Sequence, residues 1–258
     1  MLKIPIFYYH SIGNTGPETL SVWKFKNHLS LIREMGFTPI TFAQLIALNP
    51  ATDKKYVVLT FDDGLLDNYE IATPILTDYG YNATFFVIPG FDKFTRWVNP
   101  STSKWSDFKK EGFTIPFPSM QANHRQELVE LGMEIGSHTM THPALNKINS
   151  AAINDEIMSS KALLEDQLGI QVKSFCYPKG RYNRAVLNCV ASTGYSGACT
   201  TIPGYFQANT PKFECGRFLV EGPGLFRKIL QWSSNTHAWT ELVCNTMRPA
   251  LKFKNYYL

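Results

Sequence analysis

The chain has 258 residues, 44% of them hydrophobic and 14% aromatic, with a formal net charge of +4. That is apolar enough for a large core and excludes a disordered chain. The lysines and arginines are scattered, which excludes the basic stripe that neutralises a nucleic-acid backbone, so nucleic acid is not an expected partner.

At this length a single barrel of alternating strands and helices is the default, and one domain over residues 1–258 is expected. Five cysteines (Cys176, Cys189, Cys199, Cys215, Cys244) make an odd count without a CxxC pair. They predict buried free thiols, not a disulfide framework or a thiolate zinc site. The start, MLKIPIFYYHS, lacks the apolar stretch and cleavage site of a signal peptide. No apolar run approaches the roughly 18 residues that span a bilayer. The expectation is a cytoplasmic chain as given, or a secreted or periplasmic one if an export segment has been removed.

In chain order, IPIFYYH (4–10) reads as a strand, and the spacing of Phe25, Leu29 and Ile32 predicts a helix from Val22 to Met35, closed by Gly36. FTPIT precedes a helical FAQLIAL. YVVLTF (56–61) is a β-branched strand ending in DDG, and Asp67 to Tyr79 is helical, with Asp67 and Asn68 expected as its caps. ATFFVIP (83–89) is the next strand. HRQELVELG reads as helix, MEIGSH (133–138) as strand, and Ser150 to Leu168 as a long amphipathic helix stopped by Gly169. VKSFCYP (172–178), a helix over about 183–192, YSGACT (195–200) and FECGRFLV (213–220) continue the alternation. Alternation of this kind calls for parallel strands with crossovers, and seven or eight units predict a closed α/β barrel, with an open doubly wound sheet as the alternative. No glycine-rich phosphate loop is present.

Residues 91–123 break the pattern, mixing Trp97, Trp105, Phe108, Phe113 and Phe117 with Pro100, Pro116 and Pro118. An insert of this length is a functional lid whose rings stack on a sugar-like substrate, or a cap that packs its rings on the barrel.

The stretch SHTMTH (137–142) places two of only six histidines four apart. On spacing alone, His138 and His142 share one exposed face of a helical turn; a third ligand elsewhere would make them a metal pair. In an α/β barrel, chemistry collects at the C-terminal ends of strands. Those ends carry His10, the Asp62-Asp63 pair, His138 and Tyr177-Pro178. One carboxylate with two imidazoles is an accepted catalytic zinc set that leaves a position for water. HExxH is absent, so the base must come from elsewhere, and the second aspartate of the pair is the nearest candidate.

TFDDG (60–64) with GSHTMTHP (136–143), in the order YHSI, TFDDG, SHTMTH, YPKG, resembles the polysaccharide deacetylases, carbohydrate esterase family 4, and within it the poly-N-acetylglucosamine deacetylase branch with an N-terminal YH motif. The similarity runs from Ile4 to about Val220. It implies a distorted (β/α)7 TIM-like barrel, one divalent metal ion (zinc, ahead of cobalt or nickel), and hydrolysis of N-acetyl groups on amino sugars or polysaccharides. Residue by residue it implies Asp62 as general base and Asp63, His138 and His142 as metal ligands. The family's late LxH histidine has no match, since His237 lies in SSNTHAW; the YH branch places that catalytic acid on His10. Two positions depart from the family. Cys176 stands where an arginine usually orients the base, and Arg217 in ECGRFLV is the candidate replacement. Lys179 replaces the motif's aromatic, although the oxyanion contact there comes from a backbone N–H. Tyr177, Pro178 and Lys179 are thus the expected substrate-binding residues. The roles together predict a bell-shaped rate profile. Hydrolysis of another amide, ester or cyclic imide on the same scaffold, or carbohydrate binding without catalysis, are the rival functions.

Overall fold

The structure is a computed structural model that describes residues 3–16, 18–48, 54–102 and 104–234. His237 and Cys244 lie outside the described residues. In chain order the strands are β1 (Ile6–Tyr9), β2 (Ser11–Ile12), β3 (Thr19–Leu20), β4 (Thr38–Ile40), β5 (Tyr56–Phe61), β6 (Thr84–Val87), β7 (Thr95–Asn99), β8 (Lys104–Ser106), β9 (Ile115–Pro118), β10 (Glu134–Ser137), β11 (Ser174–Cys176) and β12 (Gly197–Cys199). The α-helices are α1 (Val22–Glu34), α2 (Phe42–Ala47), α3 (Thr73–Tyr79), α4 (Ala122–Glu130), α5 (Ser150–Leu168), α6 (Arg184–Ser192) and α7 (Pro223–Ser234).

Seven strands form one parallel sheet in the order β1-β5-β6-β10-β11-β12, with β4 also paired to β5. Val58 pairs with Ile6 of β1 and with Ile40 of β4, so β4 and β6 share one edge of β5, β4 at its start and β6 at its end. The sheet curls instead of lying open. Its two ends are joined by the extended segment Cys215–Phe218, which bridges Cys199 on one side and Phe7 on the other. Sequence alternation predicts a regular strand here. The Arg217 N–H instead bonds the Ile202 carbonyl (3.0 Å), and the backbone passes so close that a Cβ on Gly216 would lie 2.5 Å from that oxygen. The chain therefore closes the barrel through single bridges.

Period-2 alternation sorts the strand residues between two clusters. Phe7 and Tyr9, Val57, Leu59 and Phe61, and Phe175 and Tyr177 face the helical layer and make the larger core. Ile6, Val58, Phe86, Cys176, Cys199 and Cys215 face inward with Phe42 and Leu45 of α2 and fill the barrel. The inward parity continues past the strand ends: from Ile6 to Tyr8 and His10, from Val58 to Thr60 and Asp62, from Gly136 to His138, and from Cys215 to Arg217. Cys176, Cys199 and Cys215 are buried free thiols and Cys189 is half-buried.

The helices follow their sequence signals. Ser21 and Asn149 cap α1 and α5 through their side chains, and Gly80 and Gly169 end α3 and α5 in the left-handed region. The stretch before α3 differs from expectation. Asn68–Ala72 is a π-helical turn, and Asp67 makes no side-chain cap bond to it. Its carboxylate is buried and accepts from Ser11 Oγ (2.6 Å), Asn14 Nδ2 (2.7 Å) and the Ile12 N–H (3.3 Å). Asp67 thus pins the loop that follows β1, and Asn68 Nδ2 donates to the His10 carbonyl (2.6 Å).

The insert is not irregular. Its core is an antiparallel sheet in the order β8-β7-β9, with Val98 and Phe117 packed on Leu65 of the barrel. Trp105 stands edge-on to Phe117, whereas Phe108 is largely exposed.

Candidate active site

The turn after β5 is built on two successive left-handed residues, Asp63 (φ 70°) and Gly64 (φ 63°). A Cβ at position 64 would meet Val87 of β6 at 3.1 Å, so glycine there answers both the backbone and the close packing. The turn leaves Asp62 aimed into the barrel and lifts Asp63 to its rim.

SHTMTH is not helical. Ser137 ends β10, and the backbone turns through left-handed Thr139 (φ 69°) and His142 (φ 62°). Thr139 Oγ1 accepts the His142 N–H (2.9 Å), and Glu156 of α5 accepts from the N–H (2.8 Å) and hydroxyl (2.5 Å) of Thr141. Gly90 donates its N–H to the Met140 carbonyl (3.1 Å), where a Cβ would stand 2.2 Å from that oxygen. The pair thus meets through a pinned loop, and the helical-turn expectation is corrected.

His138 Nε2 and His142 Nε2 lie 3.6 and 3.4 Å from Asp63 Oδ1. His138 Nδ1 is 2.8 Å from the Cys176 carbonyl. A carbonyl only accepts, so Nδ1 carries the hydrogen and Nε2 presents its lone pair to Asp63. Burial lowers both imidazole pKa values, that of His142 to about 3; the charges of Asp62 and Asp63 at His138, and of Asp63 at His142, only partly offset it. Burial on its own raises the Asp63 pKa, but Arg96 and the histidines reverse this and hold it well below the usual carboxylate range. Asp63 Oδ1 is buried and has no hydrogen-bond partner. Two ligands each ~2.0–2.1 Å from a tetrahedral zinc lie ~3.3–3.4 Å apart. The orphaned oxygen, two neutral imidazoles and these spacings fit a divalent cation.

Asp62 is differently held. Arg217 grips it end-on, Nη1 to Oδ1 and Nη2 to Oδ2, both 2.7 Å. The remaining guanidinium donors reach the Thr200 carbonyl (3.0 Å), Thr60 Oγ1 (2.9 Å) and Cys176 Sγ (3.0 Å), so all five N–H groups are satisfied in a fully buried setting. The guanidinium also lies over the Tyr8 ring at 4.5 Å. Burial raises the Asp62 pKa, but the Arg217 charge and hydrogen bonds, with His138 and His10 behind them, leave it below its ordinary value.

His10 follows β1, its Nε2 3.7 Å from Glu18 Oε2. His10, Asp62, Asp63, His138, His142 and Lys179 line one open cavity of about 470 Å³. Tyr177 and Pro178 do not. Tyr177 has the outward parity of β11: its ring is buried against Phe175 and Tyr182 and its hydroxyl bonds the Phe213 carbonyl (3.1 Å). The expected substrate contact is thus not made by the Tyr177 and Pro178 side chains at this cavity, whereas Lys179, whose backbone is left-handed (φ 58°), does line it.

Sequence reading missed Arg96. It sits on the buried face of β7 and donates from Nη1 to Asp63 Oδ2 at 2.7 Å. Tyr8, Glu18, Trp105 and Asp107 also line the cavity. The alternation of TRWVN could have marked a strand with Arg96 and Val98 on one face, but nothing in it points to Asp63.

A curled parallel barrel whose strand ends gather paired carboxylates and histidines in one cavity is the frame of a hydrolase. The sequence defines which: the chain belongs to the polysaccharide deacetylase family, whose model matches residues 49–198. It is 30% identical over 226 residues to YxkH of Bacillus subtilis (strain 168), named provisionally as a polysaccharide deacetylase, covering 86% of this chain and 73% of that one. The Streptococcus pyogenes deacetylase PplD, solved in complex with acetate, superposes with a TM-score of 0.74 at 26% identity over 91% of this chain and 99% of its own. IcaB from Ammonifex degensii shares the fold, with a TM-score of 0.72 at 21% identity over 91% and 98% of the two chains. The chain is therefore a single-domain α/β protein of carbohydrate esterase family 4, a carbohydrate deacetylase on a distorted (β/α)7 barrel. No helix among the described residues is long and apolar enough to cross a membrane.

Proposed function

We propose that this chain is a metal-dependent N-deacetylase of N-acetylglucosamine-type amino sugars or polysaccharides, of the branch that carries its acid on an N-terminal YH motif. The observation that carries the reading is the convergence, in one cavity, of an Asp63-His138-His142 donor set with a separately clamped Asp62 and with His10. An ion held by those three ligands, zinc ahead of cobalt or nickel, would supply Lewis acidity, lowering the pKa of a water and polarising the acetyl carbonyl.

The protein's own groups do the rest. Asp62, ionised and fixed by Arg217, takes the proton from the attacking water. The Lys179 N–H donates to the carbonyl oxygen as charge develops there, a contact typically worth about 3 kcal/mol. His10 gives a proton to the nitrogen as the C–N bond breaks, so acetate and a free amine leave. Glu18 Oε2 lies 3.7 Å from His10 Nε2, on the same cavity wall.

The test is acetate release from N-acetylglucosamine oligomers and from nucleotide- or lipid-linked N-acetyl sugars, before and after chelation, with zinc, cobalt or nickel restored. Chelator-sensitive release is the expected result. Release that ignores chelation would sink the metal assignment, and bound metal without release from any of these sugars would move the function to another amide or ester.

A further inference from the structure

Asp63 is asked to be a ligand, yet one of its two oxygens is already taken. Arg96 Nη1 donates to Oδ2 at 2.7 Å, whereas Oδ1, buried and unpartnered, lies between His138 Nε2 and His142 Nε2. Arg96 is itself held: it is 7% exposed, its Nε reaches Asp107 Oδ1 at 3.3 Å, and its guanidinium stacks at 5.3 Å from the Trp105 ring centroid.

We infer that Arg96 is a positioning residue for the metal site, fixing Asp63 as a one-oxygen ligand. The inference rests on the proposed reading that Asp63, His138 and His142 hold an ion. A free carboxylate can turn about its last torsion and chelate through both oxygens. Here that rotation would break a short charge-assisted hydrogen bond in a buried site. With Oδ2 occupied, only Oδ1 is offered, and the coordination positions needed for water and substrate stay open.

Arg96 is not needed merely to attach the insert. Leu65 packs on Val98 and Phe117, Leu65 bridges Ser119, and the Met120 N–H bonds the Gly64 carbonyl at 2.9 Å. The insert sheet thus has apolar and backbone anchors, and the arginine takes Oδ2, the Asp63 oxygen other than the one beside the histidines.

The experiment measures zinc affinity by chelator competition, and the visible spectrum of the cobalt-loaded full chain, for the wild type, Arg96→Met and Arg96→Lys. Arg96→Met is expected to bind zinc about 10–100-fold more weakly, the usual scale for partners of metal ligands. Its cobalt absorption should weaken as Asp63 becomes free to chelate and coordination number rises. Arg96→Lys, which keeps a cationic N–H donor for Oδ2, should recover part of both signals. Wild-type affinity and an unchanged cobalt spectrum in Arg96→Met would overturn the inference and leave the metal site standing. A wild-type chain that binds no zinc would overturn the metal reading and Arg96's role with it. Should Arg96→Met fail to fold, Asp107→Asn loosens the guanidinium from its half-exposed side. Zinc binding weakened a few-fold there supports the inference, and unchanged binding overturns it.

Discussion

The barrel-closing segment Cys215–Phe218 and the insert sheet of β7, β8 and β9 each send one arginine to one of two adjacent aspartates. Arg217 comes from inside the barrel, is fully buried, and takes both oxygens of Asp62. Arg96 comes from the added sheet, lies at the cavity wall, and takes only one oxygen of Asp63. The first arrangement leaves a carboxylate charged, fixed and unable to reorient, which suits proton transfer. The second leaves a carboxylate with one oxygen free among imidazoles, which suits a ligand. Two residues joined by one peptide bond are thus given different chemistry by what reaches them from 155 and 33 positions away.

The largest expected effect tests that division directly. Asp62→Asn keeps the shape but cannot accept the proton, and kcat should fall ~10³-fold, within the range for a general base, with zinc content unchanged. His138→Ala is its mirror and should lose the zinc itself. If Asp62→Asn released the metal while turnover per bound ion stayed normal, the two roles would be assigned the wrong way round.

Arg217→Met comes next and concerns stability as well as rate. Removing one partner of a fully buried pair leaves an uncompensated charge, typically a loss of about 3–5 kcal/mol. Arg96→Met should cost less, because Asp63 has an open cavity beside it. The pH dependence has a definite sign. The folded pKa of Asp62 lies below the ordinary carboxylate value, so the pair's contribution is complete above about pH 4 and is lost as pH falls through the folded value. The stability gap between wild type and Arg217→Met, measured by denaturant unfolding with metal chelated, should narrow in acid. A constant gap down to pH 3 would mean that Arg217 acts through packing on Tyr8 and Phe86 instead.

Much of this site is legible in the sequence because it lies on strand ends, where parity and turn residues carry the information. Asp62, Asp63 and His138 each follow an apolar strand run, and the period that buries Val58 inside the barrel also aims Asp62 there. The same parity rule puts Tyr177 with Phe175 on the helical side, and applying it to VKSFCYP would have removed Tyr177 from the substrate-binding set. Arg217 is legible as the cation that replaces the arginine absent at Cys176, and its inward parity with Cys215 agrees. Asp67 reads as a cap because Asp before a helix usually is one, whereas here a tertiary contact to the loop after β1 wins. Arg96 carries a local signal for a strand face but none for its partner. Its partner is fixed by how a separate antiparallel sheet docks, and no periodicity encodes docking.

The smallest expected effect asks whether the insert also touches substrate. Trp105 lines the cavity with one side of its ring and packs edge-on against Phe117 and near Arg96 with the rest. If the exposed side forms a platform for a sugar ring, Trp105→Ala should raise KM for an oligomeric substrate about fivefold, ~1 kcal/mol on the scale of an aromatic contact. In that case kcat and zinc affinity should hold near wild type, since neither Asp62 nor Asp63 is touched by the indole. If the ring serves only to seat Arg96, the change should instead follow Arg96→Met on a smaller scale, with weaker zinc binding and an unaltered KM. The KM-against-affinity split therefore separates the two uses of aromatic surface that composition leaves equal: one side of a single ring recognises, or the whole ring supports.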